Sequence, residues 1–341
     1  LHGILTNPLF ALPNRQPAAV KDPMQVFDEA CAKGLMTNVR ARACLLAKKR
    51  ELRKLPTDLS ASVQMSESGV KVFRWLLSTG AADNSSWLLP YDASYPRNQK
   101  KSKPDIIFEF LVLEGKQELL WDLFEHHISQ RKGRADLLLY HLSNALAHSA
   151  SVDTAYRSLI RANEILQRQG ISKKCGANVL AKAVRSLVKT TLVTGSPQPQ
   201  QNAELFDVFL GIVEAALPRS ALSLSHLQLY HPTKPDAKPA LQHLKNLDET
   251  SSDEINSAHD VSARAEDTKL LVWLALDTAK LLLKQEQYED ARWVMDFLQT
   301  RHPEQIGAER HAEAKLRVEQ AEAEATNLQL LNNLELGLGA T

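Results

Sequence analysis

Seven cations, Arg40, Arg42, Lys48, Lys49, Arg50, Arg53 and Lys54, stand against the single acid Glu51 in one stretch of chain. A cluster of that density can follow a phosphate backbone by neutralising its charge, and helical spacing gathers Arg42, Lys49 and Arg53 near one side. The competing assignment is a solvated face lying opposite the apolar stripe of Cys44, Leu45 and Leu52. In a second cluster Trp87, Tyr91 and Tyr95 alternate with prolines and precede Arg97, Lys100, Lys101 and Lys103. Aromatic rings stack on unpaired bases while cations hold the backbone. The alternative is a Pro-rich loop pinned by its aromatics to a helical body.

Other chemistries find little support. The chain has no GxxxxGK[ST] loop to wrap phosphates, no GxGxxG after a strand, no HExxH for zinc and no GxSxG nucleophile turn. Glu125, His126 and His127 precede His141, but adjacent histidines point about 100° apart on a helix and do not converge on one ion. Glu289 with Asp290, and Glu322 with Glu324, belong to acidic surfaces with no apolar pocket to raise a pKa. Cys31, Cys44 and Cys175 show no CxxC spacing and read as thiols of a reducing compartment. No catalytic residue, metal or cofactor is expected.

The elements that must position the two cationic clusters are helices. Only 13 glycines occur in 341 residues rich in Leu, Ala, Gln, Glu and Lys, a helix-forming composition. No apolar run reaches the roughly 18–20 residues of a membrane span. The formal net charge of +1 conceals an asymmetry: residues 246–341 hold 9 Lys+Arg against 19 Asp+Glu, leaving 32 against 21 before them. The two parts should therefore meet different partners. The chain starts at Leu1 rather than Met, which reads as a fragment or processed form with any targeting peptide out of view.

Helical signals come in pairs. Asp22-Pro23 opens a segment that Gly34 stops, and a second runs from Thr37 to Lys54. Ile107, Phe108, Leu111 and Val112 precede Gly115, after which Leu119, Leu120, Leu123, Phe124 and Ile128 continue the helical period. Leu137–His148 pairs with Asp153–Gln169, where Ser151 or Asp153 can cap and Gly170 can end the second member. Lys173–Thr191 follows, and then a helix through Phe206, Phe209 and Val213 that Pro218 terminates. Residues 231–263 are polar and hold Pro232, Pro235 and Pro239, which predicts a linker. Beyond it, Asp267–Lys284 pairs with Tyr288–Arg301.

In that last pair, EQYEDARWVMDFLQTRHP resembles the second half of a tetratricopeptide repeat, with Tyr288, Ala291 and Pro303 at matching spacing and Glu286 where glycine is commoner. The resemblance assigns Tyr288 to wedge into the turn, Ala291 to permit close helix approach and Pro303 to stop the helix. SVDTAYRSLIRANEILQRQGISKK is similar to a degenerate pentatricopeptide repeat. The opening LHGILTNPLFALP with DPMQVFDEACAKGLMT also resembles divergent fungal mitochondrial proteins of this helical-repeat kind. The resemblance implies a mitochondrial matrix location and a role in RNA maturation, translation or ribosome assembly.

The expected fold is all-α, an α-solenoid of stacked antiparallel helical hairpins. It comprises a basic helical-repeat region (1–230), a Pro-containing linker (231–263) and a tetratricopeptide-like hairpin with an acidic C-terminal helix (264–341). A non-catalytic protein contacting RNA or a ribonucleoprotein through its basic part is the leading functional expectation. A protein-binding scaffold of tetratricopeptide type without RNA is the alternative.

Overall fold

Local chemistry at the helix ends accounts for most of the element boundaries. A computed structural model describes residues 21–54, 63, 66–80, 85–88, 105–130, 134–194, 202–218, 220–250 and 261–303. Among them it contains thirteen α-helices and no strand. The fold is all-α.

Helix α1 (Pro23–Ala32) starts where the Asp22 carboxylate accepts from the Met24 N–H at 2.9 Å, with Pro23 in the first turn. Helix α2 (Asn38–Leu52) is capped by the Thr37 hydroxyl. Four helix ends share one motif. In it an amide bonds back across six residues, as from Leu35 to Ala30 O (2.9 Å), Lys116 to Leu111 O (2.8 Å), Ile171 to Leu166 O (3.0 Å) and Gln287 to Leu282 O (3.0 Å). The motif needs one left-handed residue, supplied by Gly34, Gly115 and Gly170 and, at φ 60°, by Glu286. Glu286 thus does occupy a glycine position, at a steric cost that glycine avoids.

Two compact units group the chain: Leu1–Thr191 with Asp207–Leu217, and Leu192–Phe206 with Pro218–Thr341. In the first, α1 packs on α2, and α2 on both α3 (Ser68–Ser78) and α4 (Ile106–Leu113). Helix α6 (Ala135–Ser149) packs on α4, on α5 (Glu118–Ser129) and on α7 (Val152–Arg168). Ser151 caps α7 through the Thr154 amide at 3.1 Å. Helix α8 (Lys173–Thr194) is fastened to α6 by Ser186 donating to Asn144 (2.6 Å), and to α7 by the Tyr156–Thr191 hydroxyl pair (2.8 Å). Tyr156 also stacks on Phe209 of α9 (Ala203–Ala216), centroids 4.1 Å apart.

The start of α3 is capped from outside the helix. Both Glu114 oxygens accept backbone amides, Gly69 at 2.8 Å and Val70 at 3.0 Å. A Cβ at Gly69 would lie 2.6 Å from the Phe110 Cβ, so only glycine allows this approach. Burial pushes the Glu114 carboxyl above its ordinary range, against the opposite pull of the two amides.

In the second unit α10 (Ala221–Leu229) packs on α11 (Lys238–Thr250) and α12 (Val261–Lys284), and α12 packs on α13 (Tyr288–Arg301). Their shared core includes Ala240, Leu244, Ala275, Leu282, Ala291 and Leu298. The linker expectation for 231–263 is thereby corrected. Asp236 caps α11 through the Lys238 amide (2.9 Å), Pro239 sits harmlessly in its first turn, and Ala240, Leu241 and Leu244 supply an apolar face. Residues 251–260, and the acidic helix expected at 305–327, lie outside the described residues.

Candidate nucleic-acid interface

The cationic cluster on α2 divides once its neighbours are in place. Arg42 and Lys49, seven residues apart and so on one face, meet Asp105 and Glu109 at the start of α4. Arg42 donates through Nε (3.0 Å) and Nη2 (2.8 Å) to one Asp105 oxygen, and its Nη2 also donates to the Trp87 carbonyl at 2.7 Å. The Arg42 and Asp105 side chains are only 13% and 14% exposed. Lys49 pairs with Glu109. Lys48 is held by Asp22 (3.1 Å) and Glu51 (3.6 Å). Arg40 is exposed and donates to the Leu35 carbonyl at 2.6 Å.

These contacts correct the expectation of a continuous phosphate-tracking ridge. Arg42, Lys48 and Lys49 are committed to carboxylates inside the fold, which leaves Arg53 without cationic neighbours free to continue a ridge on that side. Arg50, Arg53 and Lys54 remain exposed at the C-terminal end of α2, where cations complement the helix dipole.

Trp87 likewise departs from the base-stacking expectation. It is 2% exposed. Its ring stacks on Phe108 (centroids 5.9 Å, planes 17° apart) and meets Phe73 edge-on at 6.2 Å. The pinned-loop alternative fits this residue. Tyr91, Tyr95, Arg97, Lys100, Lys101 and Lys103 lie outside the described residues.

Of the repeat-packing set, Ala291 is buried between α12 and α13 at 2% exposure, and Pro303 follows the end of α13. Tyr288 is 64% exposed and wedges into nothing, because the turn Gln285–Gln287 beside it is polar and solvated.

Sequence reasoning placed α8 but overlooked the charge it carries. Its 22 residues hold Lys173, Lys174, Lys182, Arg185 and Lys189 and no acid. Lys174, Asn178, Lys182, Arg185 and Lys189 recur at steps of four, four, three and four, which places them within about 80° of one another around the helix. Lys174, Asn178, Arg185 and Lys189 are exposed. Lys182 is half-buried, its Nζ 4.8 Å from the centre of the Tyr140 ring. Burial pulls its pKa down, opposed by Asp136 and aided by Arg134. Lys174, Arg185 and Lys189 make no ion pair among the described residues. The row spans about 22 Å, and each four-residue step rises about 6 Å. The signal was the missing acids rather than a dense run of cations.

A cavity of about 680 Å³ opens at the head of this row. Ile128, Ala135, Ile171 and Val179 give it apolar walls, and Asp136, Ser172 and Asn178 add polar groups. The Asp136 carboxylate is bound by Arg134 at 3.0 and 3.1 Å, and its pKa stays below the ordinary range because that pairing outweighs burial, the largest single influence.

Elsewhere polar groups are fasteners. His141 Nε2 lies 2.9 Å from the Leu88 carbonyl, and burial lowers its pKa. Asp277 on α12 accepts from His226 (2.9 Å) and from the Tyr230 hydroxyl (2.5 Å), tying α10 to α12. Burial would raise the Asp277 pKa, but these two bonds hold it below the ordinary value, while burial and Asp277 raise that of Tyr230. Among the described residues no group of three or more His, Cys, Asp or Glu could hold a metal ion, and no helix is long and apolar enough to cross a membrane. No protein-family model, curated protein or solved structure matches the chain.

Proposed function

We propose that this chain is a non-catalytic helical-repeat binding protein of mitochondrial gene expression that contacts RNA within a ribonucleoprotein. The carrying observation is the solvent-facing row Lys174, Asn178, Lys182, Arg185 and Lys189 on an acid-free helix. Steps of about 6 Å are close to the separation of successive phosphates along a strand, and neutralising phosphates is the main source of sequence-independent affinity. Within each unit consecutive helices pack as hairpins with alternate neighbours in contact, α4 with α6 in the first and α11 with α13 in the second, which supports helical-repeat packing. The mitochondrial assignment rests on the resemblance to organellar helical-repeat proteins.

The test is recovery of crosslinked RNA from the tagged protein in its own cells, beside a Lys174→Ala/Arg185→Ala/Lys189→Ala variant. Organellar transcripts enriched with the parent and lost with the variant support the proposal. A defined protein set without RNA would replace it with the scaffold reading. One observation favours that second reading: Leu35, Val39 and Leu46 of the first hairpin are 55%, 36% and 46% exposed, an apolar surface available to a protein partner.

A further inference from the structure

Helix α2 is apolar on two separate faces. Ala41, Leu45 and Leu52 form the inner one and are buried, where α1, α3 and α4 pack. About 140° around the helix, Val39, Ala43, Leu46, Arg50 and Arg53 recur at steps of four, three, four and three, within about 80° of one another. All five are exposed, Val39 at 36% and Leu46 at 46%. A surface helix ordinarily turns polar side chains outward, and one with a second apolar face is shaped to lie between neighbours. The stripe changes character along its length. Its first two turns are apolar, and its last carries Arg50 and Arg53 with Lys54 beside them, three exposed cations that make no ion pair among the described residues.

We propose that this outer face docks an amphipathic helix of a protein partner, laid antiparallel to α2, whose apolar seam covers Val39, Ala43 and Leu46 and whose acidic first turn meets Arg50, Arg53 and Lys54. Alternating steps of three and four are the spacing at which the side chains of one helix seat between those of another, and the small Ala43 at the middle of the apolar turns lets the two backbones approach. Charge sets the chemistry and direction of the occupant. Acids are favoured in the first turn of a helix by its own dipole, so an antiparallel partner carries them to the cationic end of α2. A second copy of α2 fits poorly: antiparallel, it sets Arg53 against Val39 and Arg50 against Ala43 with no acid to meet them, and parallel, it sets the arginines against each other. Nucleic acid would use the three cations and gain nothing from the apolar turns. The proposal stands apart from RNA binding along α8 and names the partner class that α2 takes under either reading of the function.

The probes are two fluorescent helical peptides of about five turns that share a leucine seam and differ only in their first two turns, Glu in one and Lys in the other, titrated by anisotropy against the full chain. The Glu peptide is expected to bind at least about fivefold tighter. Arg50→Glu/Arg53→Glu should reverse that order, and Val39→Gln/Leu46→Gln should weaken both peptides at least about tenfold. Every changed residue is exposed, so both variants fold as the parent does. In cells, Ala43→benzoylphenylalanine should crosslink to an acidic, amphipathic peptide of another protein, its sequence read by mass spectrometry. Equal affinities, no binding, or binding indifferent to Val39→Gln/Leu46→Gln would overturn the docking site. A crosslink into any other sequence, this chain's own included, or none at all overturns it too. The Lys174→Ala/Arg185→Ala/Lys189→Ala variant should lose RNA and keep its peptide affinity, so the failure of either proposal is read separately from the other.

Discussion

Helices α2 and α8 carry comparable positive charge, yet they use it differently. On α2, Arg42, Lys48 and Lys49 are drawn into carboxylates from Asp22, Glu51, Asp105 and Glu109. On α8, Lys174, Arg185 and Lys189 meet no such acid among the described residues. Local charge density is therefore a poor guide to a polyanion surface. What decides is whether helices packed alongside bring carboxylates, and that is settled by contacts as distant as the 63 residues between Arg42 and Asp105.

The comparison breaks most visibly if Arg42 proves dispensable to the fold. Arg42→Ala removes both bonds to Asp105 Oδ2 and the bond to the Trp87 carbonyl in a largely buried setting. It should cost about 2–3 kcal/mol in denaturant unfolding, with RNA affinity unchanged. Next in size is the α8 triple variant Lys174→Ala/Arg185→Ala/Lys189→Ala. Its affinity for single-stranded RNA should fall about 30-fold, equivalent to about 2 kcal/mol, and its slope of log affinity against log salt should flatten by about 2. Its unfolding free energy should stay within about 0.5 kcal/mol of the parent. The smallest effect is expected from Arg50→Ala/Arg53→Ala/Lys54→Ala at the exposed end of α2. A change below about threefold in RNA affinity would sharpen the contrast between the helices, whereas a loss matching that of α8 would erase it.

Much of the fold was legible because its signals are local. Asp22-Pro23, Ser151, Gly34, Gly115, Gly170 and Pro218 set helix ends through bonds spanning a few residues, and amphipathic spacing marked α4 to α7. Helices α3 and α10 escaped notice. The start of α3 is satisfied by Glu114 from elsewhere in the chain, and α10 is nine residues of Ala, Leu, Ser, Gln and His without a side-chain cap. Prolines masked α11, although Pro239 falls where a helix tolerates it. The candidate surface was less legible than the fold. The α2 pairs and the burial of Trp87 depend on packing across long separations, while the α8 row was visible in sequence as an absence of acids that a search for cation runs passes over.

The external cap on α3 bears on how the chain is made. Glu114 follows Gly69 by 45 residues, and at synthesis rates of about 5–20 residues per second the helix start emerges roughly 2–9 s before its cap exists. During that interval Val72, Phe73 and Leu76, buried in the finished fold, have neither α4 to cover them nor the carboxylate that closes their helix. Nascent α3 is thus a period of vulnerability in biogenesis, when a chaperone has reason to hold the chain until residue 114 arrives.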